Sequence, residues 1–195
     1  AYTSTNWGAT TYTPLTAKVV DKAGNASAAS VSSSLTIDTG APAAPSAMDL
    51  QLADDVGQST TDNITKTNSG LTFIATVEAG SQVVFFNDQD SDGVLDEGEL
   101  LGAATVVTTV ATLDNLNLVD GVYNVRAIQT DVAGNVSAVS TALDAVVDFT
   151  PAQISSIAST TADGAYNLNK IITIVVNFTE AVYFGGTSLL IIVLG

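Results

Sequence analysis

A stretch of this chain returns further along it, and the length of that return limits the fold more than any other feature. Leu15 to Ser30 (LTAKVVDKAGNASAAS) recurs as Val125 to Ser140 (VRAIQTDVAGNVSAVS), an offset of 110 residues from Asp21 to Asp131. Asp38 and Asp148 share that offset, and each precedes a proline-containing junction, with Pro42 and Pro45 after the first and Pro151 after the second. A period of this size is a whole small domain and far exceeds one turn of a solenoid. It predicts boundaries near residues 40 and 150. Residues 1–39 then form the C-terminal part of one domain, 40–149 a complete domain, and 150–195 the N-terminal part of another. The chain is expected to be an excerpt of something longer, its final apolar run Leu189 to Leu194 being strand-sized.

The alternation within the central repeat says what kind of domain this is. Leu71, Phe73, Ala75 and Val77 alternate with Thr72, Ile74, Thr76 and Glu78, the period of a strand with one buried face. Similar patterns place strands A to G near 47–52, 71–78, 81–87, 100–106, 108–116, 121–130 and 137–147. Seven short strands in about 110 residues predict an all-β fold of tandem immunoglobulin-like β-sandwich domains. Tyr123, just before strand F, is placed to form a tyrosine corner; the plainer alternative is an ordinary core aromatic. Beyond residue 150, Ile172, Ile174, Val176 and Phe178 repeat the alternation, as expected of a related sandwich.

Composition supports strands and points to a cation as partner. Hydrophobic residues make up 46% of the chain, enough to fill a core. Twenty carboxylates face five basic residues, and the net charge of −15 disfavours nucleic acid and anionic membrane surfaces. No run of 18 apolar residues suggests a membrane span. Cysteine and histidine are both absent, which excludes disulfides, thiolate chemistry, zinc–sulfur sites and histidine general bases. A non-enzymatic role follows as the expectation. In the sequence no basic residue falls between Lys66 and Arg126, an interval holding nine carboxylates, so local salt bridges are not expected to neutralise it.

One segment of that interval matches a metal-binding pattern. Asp88 to Glu99 (DQDSDGVLDEGE) fits D-x-D-x-D-G-x5-E throughout, the spacing of an EF-hand-type calcium loop. Asp88, Asp90 and Asp92 can wrap one side of a hard cation, and Gly93 permits the sharp turn. The Val94 carbonyl, Asp96 directly or through water, and a bidentate Glu99 complete the oxygen shell. The alternative is a solvated acidic loop. Strand-like flanks (81–87 and 100–106) replace the helices of a sensor EF-hand, which favours a structural ion over a signalling one.

A second ion, at the junctions between domains, is expected from topology. If strands A to G alternate in direction, Asp55, Asp62 and Asp148 gather at one pole of the central domain. Asp131 at the other pole lies beside the incoming linker with Asp38, and Asp21 is the counterpart of Asp131 in the preceding repeat. The competing reading of Asp131 to Asn135 is a simple turn in which Gly134 or Asn135 supplies positive φ.

These residues resemble the bacterial Ig-like repeats of giant surface adhesins, including those secreted by type I systems with RTX-type calcium repeats. The resemblance is carried by Asp21 to Ser27 and Asp131 to Ser137, the linker Asp38 to Pro45, and Thr61 to Thr65, and it extends over essentially the whole chain. Thr161 to Tyr166 and Val176 to Val182 look like a further subtype of such repeats. The resemblance implies a secreted or cell-surface bacterial protein, associated with adhesion or biofilm, whose Ig-like modules extend and stiffen with Ca2+. Its partners would be calcium ions and neighbouring Ig-like domains of the same chain. Two rival classes stand beside this: a filament whose copies complete each other by strand donation, and a module binding a glycan or protein on a host or other surface.

Overall fold

The computed structural model describes residues 7–183. Every regular element among them is a strand, and the chain divides into two compact units, residues 1–149 and 150–195. The apolar run from Leu189 lies outside the described residues.

In the first unit, β1 (Thr10–Leu15) and β2 (Ser33–Ile37) form a two-stranded antiparallel sheet. The central domain follows with β3 (Ser46–Leu50), β4 (Ile64–Thr65), β5 (Ser69–Thr76), β6 (Gln82–Asn87), β7 (Leu100–Val107), β8 (Val110–Asn117), β9 (Gly121–Thr130) and β10 (Leu143–Val147). Their order is β3-β5-β8-β7-β6-β9-β10-β4. The sandwich comes from β7, which serves both layers. Its residues from Leu100 to Ala104 pair with β6, and Thr105 to Val107 pair with β8. Layer β3-β5-β8 thus faces layer β6-β9-β10-β4 across one core.

That core is built by the inward half of each alternating strand. Leu71, Phe73, Ala75 and Val77 are all buried, as their spacing predicts, against Val83 and Phe85, Ala111 and Leu113, Val125 and Ala127, and Leu143, Ala145 and Val147. Tyr123 Oη donates to the Val119 carbonyl at 3.0 Å and accepts from the Val119 N–H at 3.1 Å, the bonds of a tyrosine corner.

Two features depart from a plain seven-strand reading. The first strand is broken in two: β3 pairs with β5, the chain makes an excursion over residues 51–63, and β4 then joins the opposite layer parallel to β10. Asp55 and Asp62 therefore sit on this excursion, apart from the turn into β5. The last strand begins at Leu143, six residues later than the expected start. Between them, the N–H groups of Ser137 and Ser140 still donate to the Gln129 and Ala127 carbonyls, and the serine side chains supply the return bonds. Their hydroxyls accept from the N–H groups of Gln129 and Ala127 at 3.1 and 2.9 Å and donate to the carbonyls of Ala138 and Thr141.

The second unit contains the antiparallel pair β11 (Ile154–Ser159) and β12 (Ile174–Phe178). Val176 and Phe178 are its half-buried positions, while Ile172 and Ile174 remain exposed.

Candidate metal centre

The acidic segment connects β6 to β7, and the pleat explains how its base is fixed. Phe85 points into the core, so its neighbour Phe86 points to the outer face; yet Phe86 is also fully buried, outside the main core cluster. The loop folds back over that face. Ser91 Oγ lies 3.2 Å from Asn124 Nδ2 on β9, and a Cβ at Gly93 would come 3.7 Å from Val139 Cγ1. The Asp88 N–H donates to the Asn124 carbonyl and the Asn87 N–H to the Glu99 carbonyl, closing the loop at its neck.

Within the loop, Asp88 (0% exposed) and Glu99 (5%) are buried, while Asp90, Asp92 and Asp96 are exposed. Asp88 Oδ2 accepts from the Gly93 N–H at 3.1 Å, and Gly93 has φ of 77°, the left-handed turn its place in the pattern requires. Glu99 Oε1 accepts from the Gln89 N–H and Oε2 from the Asp96 N–H. Asp88 Oδ1 is buried without a hydrogen-bond partner. Carboxylate oxygens of Asp88, Asp90 and Glu99 lie within 4.8 Å of one another, as do those of Asp90, Asp92 and Asp96. Among the described residues these are the only groups of three or more potential metal-ligating side chains packed so closely. Although Asp96 is exposed, partial desolvation by the surrounding loop, reinforced by the charges of Asp92, Asp90, Glu99 and Asp88, raises its carboxyl above the ordinary aspartate value. A hard divalent cation fits this donor set: it would relieve the mutual repulsion and engage the free oxygen of Asp88. Val94 stands where the pattern calls for a main-chain carbonyl ligand.

One feature was not legible in the sequence. Arg126, reaching from β9, places Nε 2.5 Å from Asp88 Oδ2. The N–H is not aimed along that line, so the contact is an ion pair without a hydrogen bond. A basic group therefore does reach the loop. Arg126 lies 38 positions after Asp88, and only the β6–β9 register, which sets Phe86 opposite Arg126, brings it there.

The structure does not gather the remaining acidic candidates into a comparable cluster. Asp131 is held in its own turn: Oδ1 accepts from the Asn135 N–H and Oδ2 from Asn135 Nδ2, both at 2.8 Å, with Gly134 at φ of 94°. Asp21 repeats this with Asn25 and Gly24, bond for bond. The side-chain amide of Asn135 is the chief cause holding the Asp131 carboxyl below the ordinary value, and Asn25 does the same for Asp21. Asp38 accepts from the Gly40 N–H, its carbonyl receives Asn135 Nδ2 at 3.3 Å, and it shares a crevice of about 390 Å³ with Glu78 and Asp131. The Asp62 carboxylate accepts from the Ile64 N–H, and the Asp148 N–H donates to the Thr65 carbonyl. Asp55 is buried, with Oδ2 bonded to the Asn63 N–H and Oδ1 unpartnered.

Comparison with known families agrees with the sandwich fold. The family model described as bacterial Ig-like domain matches residues 42–149, more than half of the chain. The chain belongs to the bacterial Ig-like domain family. The match spans the central sandwich and includes the β6–β7 loop. No curated protein matched the chain. Among the described residues of this Ig-like chain, no helix is long and apolar enough to cross a membrane.

Proposed function

We propose that this chain is a calcium-rigidified extender segment of a long bacterial surface protein, secreted and adhesin-like, with no catalytic role. The observation that carries this reading is the β6–β7 loop, where a fully buried Asp88 keeps one oxygen unpartnered beside Asp90 and Glu99. Membership of the Ig-like family supports a surface or extender setting. The lack of any histidine or cysteine supports a non-catalytic one. The ion would lock the neck of the loop to both β6 and β9 and so stiffen one end of the sandwich. A second, junction ion drawing on Asp55, Asp62 and Asp148 belongs to the same reading, and the buried Asp55 Oδ1, which lacks a partner, supports it.

Asp90→Ala tests the assignment, because this exposed side chain belongs to both close carboxylate groups and its loss leaves the core intact. Calorimetric titration with Ca2+ should show the loop's binding isotherm in the parent chain and its loss in the variant. An unchanged isotherm places the ion elsewhere.

A filament assembled by strand complementation is the alternative reading. It predicts ordered polymers of the full-length protein, and a strictly monomeric particle in sedimentation contradicts it.

A further inference from the structure

The ion pair at the neck of the loop has a consequence for how that loop holds a cation. Asp88 carries two separate duties on its two oxygens. Oδ2 accepts from Gly93 N–H and lies against Arg126, while Oδ1 remains free for a ligand. Arg126 is anchored on its other side, since Nη1 donates to the Ser140 carbonyl at 3.1 Å, and Ser140 is in turn fixed to β9 through Ala127. The guanidinium therefore cannot drift away without breaking a contact to the β9–β10 connection.

From this arrangement the geometry points to Arg126 as the built-in counter-cation of the loop, a residue that weakens calcium binding while keeping the empty loop folded. The inference rests on the calcium reading of Asp88 to Glu99. Without an ion, Arg126 offsets the charge of Asp88 among the six carboxylates of the segment. With an ion on Oδ1, two positive charges share one carboxylate inside a partly desolvated neck, and their repulsion lowers affinity. The preceding repeat carries Thr16 at the corresponding place, so the arginine is not a fixed part of the repeat.

Titrations of the intact chain with CaCl2, comparing the parent, Arg126→Gln and Arg126→Lys, test this directly. Arg126→Gln should bind the same number of ions about tenfold more tightly, the expected size of removing one nearby charge. Its melting temperature in chelator should fall further than its melting temperature in saturating calcium. Arg126→Lys, which keeps the charge, should stay close to the parent affinity. Equal or weaker binding by Arg126→Gln overturns the inference while leaving the calcium site standing; so does a tenfold change in Arg126→Lys, should the glutamine variant fail to fold. Absence of calcium binding in the parent and both variants overturns the calcium reading and this one together.

Discussion

Asp131 and Asn135 illustrate what a single residue pair decides in this chain. The carboxylate accepts two hydrogen bonds from Asn135, and the same pair recurs as Asp21 and Asn25. Because the folded Asp131 carboxyl lies below its ordinary value, the unfolded state binds the proton more readily. The associated stability is present above about pH 4 and is lost as the pH falls through the depressed folded value. Asn135→Ala should lower the melting temperature at pH 7 and flatten its dependence on pH below about 4, as read by thermal melts across pH. A variant with the parent's acid profile would contradict this role. Asp96 has the opposite sign, since its raised value makes ionisation unfavourable to the fold, and a bound cation would reverse that. At this scale the calcium pattern could be read from spacing alone. Arg126 could not, because its partner is distant in sequence and the strand register alone joins them.

At the scale of elements, long alternating strands were legible and short or shared ones were not. β5 and β9 carry a clear period of two, and the expected and observed spans nearly coincide. β4 is two residues long and holds too little sequence to show a period. The sequence places a single strand near 100–106, and nothing in its pattern reveals that the two halves of β7 pair with different layers. The delayed start of β10 has a chemical cause, since Ser137 and Ser140 keep their main-chain N–H bonds to β9 but accept the return bonds on hydroxyls where a ladder would use carbonyls. Both serines are buried, at 9% and 2% exposure, so replacing either leaves a buried N–H without its side-chain acceptor. Ser140→Ala should cost about 1–3 kcal/mol in denaturant unfolding, and Ser137→Ala a similar amount. A change below a few tenths would mean that the N–H groups of Ala127 and Gln129 find other partners.

The molecule as a whole combines a repeating frame with a local insertion of charge. The frame is the 110-residue repeat, in which Ser27 and Ser30 bond Val19 and Ala17 as Ser137 and Ser140 bond Gln129 and Ala127. The insertion is the β6–β7 loop, set in a chain of net charge −15. At an ordinary extracellular-module affinity of about 10⁻⁴–10⁻³ M, tenfold saturation adds about 1.4 kcal/mol. That is a noticeable share of the roughly 5–15 kcal/mol that keeps a domain folded. Thermal unfolding of the intact chain in excess calcium and in chelator measures this most directly. The account predicts a melting temperature higher in calcium by about 5 °C or more, with the difference abolished in Asp90→Ala; identical melting curves in calcium and chelator would contradict it.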